Sequence, residues 1–193
     1  MKSREECIKE YCLQSTQTNP LALALELMQQ DFVRMHGPEH HYLTAAVLAT
    51  AYGNKTGKNS AEMLEKLQKR CMAILPAVCA HYGACGDVQG AGAFISVLIG
   101  ATHLSGEEWR TVNEMTLACQ EQIAQFKGPR CCKRTTMATL VAAMKFLNEK
   151  WALDFEIKDN IRCIFTSKNP ECHKSECRYF DPDVLVRESS REE

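Results

Sequence analysis

No Cys-x-x-Cys pair occurs in this chain, although eleven of its 193 residues are cysteine. That absence counts against a thioredoxin-like or peroxidase-reductase thiol pair. An apolar stretch behind the N-terminus is also missing. "MKSREECIKEYC" is charged from its second residue, so no secretory signal is expected. An odd number of cysteines with no export signal argues against a secreted disulfide framework and for a reducing, cytoplasmic setting. The net charge of −1 leaves no basic field for nucleic acid or an anionic membrane. The charge-free run 88–106 approaches the length of a membrane span. It is diluted by Gln89, Ser96, Thr102, His103 and glycines at 90, 92, 100 and 106, so it reads as a buried helix. Internal repeats and low-complexity linkers are absent, and the expectation is one domain over 1–193.

Strict apolar–polar alternation is missing as well. Apolar residues recur at helical spacing, which predicts an all-α bundle of about seven helices with a cysteine-rich, loop-like segment at 160–180. A first helix is expected over 4–14. A second is capped by Thr18 or Asn19 with Pro20 in its first turn, and ends at His36-Gly37. Pro38 opens a third, which reaches Tyr52. A fourth from Ser60 carries Leu64, Leu67, Cys71, Ile74 and Val78 on one stripe, kinked at Pro76. A fifth spans about 86–102. Ser105 and Glu108 form a capping box for a sixth ending near Lys127, and a seventh runs from Pro129 to about Trp151.

Four stretches carry candidate chemistry. In "GPRCCKR" the vicinal Cys131 and Cys132 fall in the first turn of a helix. The free backbone N–H groups there, with Arg130, Lys133 and Arg134, predict a depressed thiol pKa for at least one of them. Cys163, Cys172 and Cys177, with His173 beside the second, offer soft ligands for an iron–sulfur cluster or Zn²⁺. Their fourth partner is expected from the vicinal pair, Cys131 or Cys132, with Cys132 placed in the metal set. In "MHGPEHHYL", His36-x-x-Glu39-His40 matches an inverted zinc-protease signature in text only, because Gly37-Pro38 breaks the helix between the histidines. Glu39 and His40 are instead expected to face a pocket beside the fifth helix as acid and base or as ligands, with His41 peripheral. In "GACGDVQGAGAFIS", Gly92, Ser96 and Gly100 recur at every fourth position. Tight helix packing is the expected use of that ridge, with a flat cofactor held by Cys85, Gly92 and Ser96 as the alternative. "GNKTGKNS" has too few residues between its glycines for a phosphate loop, and no strand precedes it.

Together, "HGPEHHYLTAAVL", "GACGDVQGAGAFIS", "GPRCCKR" and "CIFTSKNPECHKSEC" resemble the domain of unknown function family numbered 5714, over about 30–180. That resemblance implies a helical domain that stands alone or follows a methyltransferase-like partner. It also implies one pocket shared by Glu39, His40, Cys85, Cys131 and Cys132. "CGDVQGAGAFISVLIG" is similar to part of a redox-active helical family with a Gly-Cys-Ala-x-x-Gly pattern, but histidines here replace that family's cysteine-bearing half. Two functions follow as expectations. One is a metal- or iron–sulfur-binding domain acting as carrier, sensor or accessory module. The other is a small thiol redox enzyme using Cys131 or Cys132 with His40 as base, the two differing in the number of groups that converge.

Overall fold

The stretch 39–56 has apolar or small residues on every side, and it becomes the central helix. In the computed structural model, which describes residues 2–128 and 131–184, it is the third of eight α-helices among those residues. These are α1 Arg4–Gln14, α2 Pro20–Leu27, α3 Glu39–Thr56, α4 Ala61–Met72, α5 Val78–Tyr82, α6 Gly86–Ile99, α7 Glu107–Ala124 and α8 Cys132–Trp151. Among the described residues no strand is present, and the fold is all-α. α3 packs against α1, α2, α4, α6 and α8. Leu43, Ala45, Ala46, Val47, Leu48, Ala49 and Ala51 are fully buried along it. A helix that is apolar all round is stable only inside such a jacket. No described helix is long and apolar enough to cross a membrane.

Local sequence explains most of the boundaries. The Ser3 hydroxyl accepts from the Glu6 amide while the Glu6 carboxylate accepts from the Ser3 amide, a complete capping box for α1. The Asn19 side chain accepts from the amides of Leu21 and Ala22, and Pro20 occupies the first position of α2. Other boundaries differ from expectation. α2 ends at Leu27, well short of His36. The predicted kink at Pro76 is a full break: α4 stops at Met72, Ala77 turns left-handed at φ 58°, and α5 restarts at Val78. A proline ring with no N–H to donate makes continuation there unfavourable. The expected Ser105–Glu108 box does not form, because the Ser105 hydroxyl accepts from the Thr102 amide at 3.0 Å and Gly106 takes the cap position. α8 begins at Cys132, with Cys131 as its cap residue. The expected start at Pro129, and the charge of Arg130, lie outside the described residues.

Two contacts bring the later site together. α6 lies directly on α3, since a β-carbon on Gly90 would collide with the backbone carbonyl oxygen of His41, and one on Gly86 with the His41 ring. After α8 the chain turns back over the bundle. Asn148 brackets Phe155 with two hydrogen bonds of 2.8 and 2.9 Å. The Cys163 amide then donates to the Tyr179 carbonyl at 2.6 Å, joining the two arms of the tail. Arg178 ties the second arm to α7 through Gln122 and Gln125, and its guanidinium stacks 4.6 Å from the Phe126 ring centre.

Candidate functional site

Folding the tail over the start of α8 encloses a cavity lined by four cysteines. Cys131 comes from the helix start and Cys163 from the first tail arm. Cys172 and Cys177 come from the turn between the arms. Met35, Arg134, Met137, Phe165, Thr166, Asn169, His173 and Phe180 complete the wall. The cavity's free space is about 20 Å³, room for about one water molecule. The tail cysteines and one member of the vicinal pair therefore share one space, but that member is Cys131, not Cys132. Among the described residues, no group of three or more His, Cys, Asp or Glu side chains is arranged to hold a single metal ion.

The sulfurs in this cavity accept N–H groups. The Phe165 amide donates to Cys163 Sγ at 3.4 Å and the Lys174 amide to Cys172 Sγ at 3.4 Å. Asn169 Nδ2 donates to Cys131 Sγ at 3.7 Å. Lys174 reaches its position in a left-handed conformation, φ 49°, which is unfavourable for a residue bearing a β-carbon. Asn169 is held in turn by His36, whose Nε2 lies 3.3 Å from Asn169 Oδ1. The Cys132 amide donates to His36 Nδ1 at 3.4 Å. A chain of polar contacts thus runs from the first amide of α8 through His36 and Asn169 to the Cys131 sulfur.

One cation lines this space and a second is buried behind Phe165. Lys133 is buried, and its Nζ donates to the carbonyls of Met28 at 2.8 Å and Val33 at 3.5 Å. It sits 4.6 Å from the Phe165 ring centre. The Arg134 guanidinium, also buried, stacks 4.4 Å from the Phe126 ring centre. Burial lowers Lys133 to about 8, and Arg134 is the cation that lines the cavity itself.

The expectation of depressed thiol pKa values at the vicinal pair is overturned. Burial pushes Cys131 up, although the Arg134 N–H and guanidinium favour its thiolate. Cys132 goes up to about 12, through burial first and the Asp87 carboxyl second. The helix start and the neighbouring cations contribute as expected in sign, but desolvation outweighs them. As free thiols, these two are protonated at neutral pH. Cys163 is likewise pushed up by burial.

Glu39 and His40 are occupied elsewhere. The Glu39 carboxylate, fully buried, accepts from the Arg34 amide at 2.9 Å, from Nε at 3.0 Å and from Nη2 at 2.6 Å. Burial opposes its charge, yet these donors prevail and hold the carboxyl down to about 2. This clasp shapes the loop before α3 and accounts for Gly37, where a β-carbon would strike the carboxylate. His40 is also fully buried, with Nε2 3.0 Å from the Arg34 carbonyl and Nδ1 3.0 Å from the Thr136 hydroxyl. Both ring nitrogens are engaged, so His40 has none free to serve as base for a vicinal thiol. It is His41, expected at the periphery, that lies against Gly86 at the start of α6.

Cys132 faces a second polar cluster around Asp87. That carboxyl is buried and accepts from Thr135 Oγ1 at 2.6 Å, Thr44 Oγ1 at 3.3 Å and Cys85 Sγ at 3.7 Å. Cys85 therefore belongs to the Asp87 network and does not line the four-cysteine cavity. The flat-cofactor alternative finds no space either. Gly92 faces α7, where a β-carbon would come 2.6 Å from Thr116 Cγ2, and Ser96 Oγ accepts from Arg70 Nη1 at 2.9 Å. Of the ridge expected at 92, 96 and 100 only Gly92 packs against another helix, Gly100 being the left-handed cap of α6, and the closer approach is at Gly86 and Gly90. The single pocket implied for Glu39, His40, Cys85, Cys131 and Cys132 resolves into three environments: the Arg34 clasp, the Asp87 network and the thiol cavity. Sequence pattern does not single out Asn169 or Thr166 as residues of this region, whereas Lys133 is expected beside the vicinal pair. Only the three-dimensional closure of the tail reveals the first two.

His40 and Asp87 titrate in opposing senses. Burial lowers His40 from its ordinary 6.5 to about 4, so the unfolded chain takes up that proton first and stability is lost as pH falls from 6.5 to 4. Burial raises Asp87 from 3.8 to about 6, so here the folded chain takes up the proton first and stability is gained as pH falls from 6 to 3.8. At about 1.4 kcal/mol per pH unit each contribution is on the order of 3 kcal/mol, and the two nearly cancel. Asp87→Asn removes the gain alone. Urea unfolding at pH 7, 5.5 and 4.5 should show the variant losing about 2 kcal/mol more than the unsubstituted protein across that range. Parallel pH profiles would refute this balance.

Fold and site together define an all-helical domain whose tail folds back to enclose a four-cysteine cavity. The chain belongs to the family described as Family of unknown function (DUF5714), which it matches over residues 8–180. The match takes in most of α1 as well as the motifs from residue 30 onward. The resemblance to the Gly-Cys-Ala-x-x-Gly family is not borne out. No curated protein and no solved structure matches the chain.

Proposed function

We propose that this protein is an iron–sulfur-binding helical domain, acting as carrier, sensor or accessory module, with Cys131, Cys163, Cys172 and Cys177 as cluster ligands. The observation that carries the reading is that four thiols, brought together from the start of α8 and both arms of the tail, line one enclosed cavity. Eleven cysteines invite the simpler explanation of small buried hydrophobes, and Cys12, Cys71 and Cys119 fit it, being at most 3% exposed within the apolar core. The cavity cysteines differ in that they border a hollow, and three of their sulfurs accept N–H groups.

Four cysteine thiols are the ligand set of a four-iron cluster as well as of zinc. Zinc with four thiolates needs sulfurs about 3.8 Å apart around bonds of about 2.3 Å. In a cubane each cysteine binds a different iron, which spreads the sulfurs around a hollow of several ångströms. Metal binding also resolves the raised thiol pKa values, because a coordinating thiol loses its proton outright. Arg134, which lines the cavity, then faces an anionic centre. The thiol-enzyme alternative requires a thiolate and a free base, and neither the protonated vicinal pair nor the enclosed His40 supplies one.

The test is anaerobic reconstitution with ferrous iron and sulfide, followed by iron and acid-labile sulfide analysis and a visible spectrum. A brown protein with near-equal iron and sulfide, bleached by dithionite, is the expected result. A colourless protein that retains one zinc per chain would replace the cluster with zinc. A protein that holds neither would end the metal reading.

A further inference from the structure

A second hollow lies beside the connection between α1 and α2. Its free space is about 490 Å³, bounded by Tyr11, residues 14–18 and Glu26. That falls within the roughly 300–1,000 Å³ of clefts that take small molecules. Every wall residue carries a hydroxyl, an amide or a carboxylate, and Glu26 is the one charged residue among them. Its carboxylate accepts from Gln17 Nε2 at 3.3 Å. The Tyr11 phenol is pushed up by burial first and by the Glu26 carboxylate second, so the two lie close together. Among the described residues no ion pair involves Glu26. The wall is also held from behind. Asn54 on α3 donates from Nδ2 to the carbonyls of Ser15 and Gln17, each at 2.9 Å. The Gln17 amide donates to Ser15 Oγ and the Asn19 amide to Gln17 Oε1, both at 3.1 Å. These bonds fix the connection without using Thr16 and Thr18, whose exposed hydroxyls line the cleft and have no partner among the described residues. A site fixed before binding loses less entropy when it is filled.

We propose that this cleft binds a small hydroxylated organic cation, with its ammonium on the Glu26 carboxylate and its hydroxyls on residues 15–18. Charge decides the first part. An anion would meet a carboxylate with no cation in the wall to receive it, whereas an ammonium supplies the missing partner. The Tyr11 ring adds a face on which a cation can rest. Polarity decides the second part, because an apolar ligand would strip water from the hydroxyls and amides and return no hydrogen bond. The proposal does not depend on the cluster reading, since none of the wall residues belongs to the thiol cavity.

The probes are glucosamine, galactosamine and ethanolamine, each an ammonium on a hydroxylated body, with glucose, galactose and ethylene glycol as their neutral matches. Binding to the full chain is measured by calorimetry and saturation-transfer NMR at pH 6.5, where the amines are protonated. At least one amine should bind saturably and about tenfold or more tighter than its neutral match, and added salt should weaken it. Glu26→Gln keeps the shape of the side chain and should lower that affinity by about tenfold or more, because hydrogen bonds to a charged group are the strong ones. Thr18→Val, at an exposed position where folding is not at stake, should lower it several-fold. Circular dichroism confirms that both variants are folded. Absence of saturable binding by all three amines would overturn the proposal. So would equal binding of an amine and its neutral match, or unchanged affinity in a folded Glu26→Gln protein.

Discussion

Serine at Cys131, Cys163, Cys172 or Cys177 is expected to remove most of the bound iron, whereas serine at Cys132 is expected to leave it nearly unchanged. Serine's oxygen is a harder donor and keeps its proton at neutral pH, so each of the four changes leaves one iron without its thiolate. Losing even an outer-shell partner of a metal ligand costs about 10–100-fold in affinity. Loss of a ligand itself should exceed that, and iron content after desalting should fall by more than about tenfold. The Cys132 thiol feels the Asp87 carboxyl and is not part of the cavity wall. Two adjacent, chemically identical residues therefore give opposite results. Circular dichroism distinguishes ligand loss from unfolding, because the apolar core around α3 does not depend on these thiols. Equal iron loss at 131 and 132 would contradict the split, and retention of iron in all five variants would place the cluster elsewhere.

Gly90→Ala is expected to destabilise the protein severely, by more than the same change at Gly92. The added carbon would collide with the His41 carbonyl oxygen, a backbone atom of the central helix that cannot rotate away. Relief requires moving α6 off α3, and both helices are buried along this contact. Overpacking commonly costs about 1 to 3 kcal/mol. A clash of backbone on backbone belongs at or beyond the upper end, near 3 kcal/mol, which for a chain of this size lowers Tm by about 6 to 12 °C. Gly92→Ala provides the comparison. Its new carbon would sit 2.6 Å from the Thr116 methyl, on a side chain that can shift, and a loss of about 1 kcal/mol is expected. Thermal melts of the two variants would show the order. A Gly90→Ala protein within about 1 kcal/mol of the unsubstituted one would mean that the helices are not in such close contact.

The contrast between neighbouring positions shows where the information lies. The helical fold, the cap at Asn19 and a disturbance of the helix at Pro76, though not its full break, are legible in the sequence because each depends on residues within a few positions of one another. Periodicity, a hydroxyl or amide three residues from a free N–H, and a missing proline N–H are local facts. The cysteine-rich tail is legible too, as a set of soft ligands in a segment with few apolar neighbours. The choice of Cys131 over Cys132 is not. Successive residues at a helix start point about 100° apart, and which of the two directions meets the tail depends on how residues 152–184 fold back. The signs of the thiol pKa shifts escape the sequence for a related reason. Arg134, Lys133 and the helix start are visible in it, whereas desolvation belongs to the packed protein, and here it is the larger effect. The same holds for Glu39 and His40. Their residue types suit catalysis, but Arg34 and Thr136 engage them first. A hydrogen bond spanning 96 residues has no counterpart in local pattern. Sequence alone determined that the chain folds as helices and where several of them begin, since short-range hydrogen bonding and apolar spacing decide both. Which cysteines share a cavity, which glycines let two helices touch and which ionisable groups lose their water were decided only by tertiary structure, because each depends on what long-range packing brings beside it.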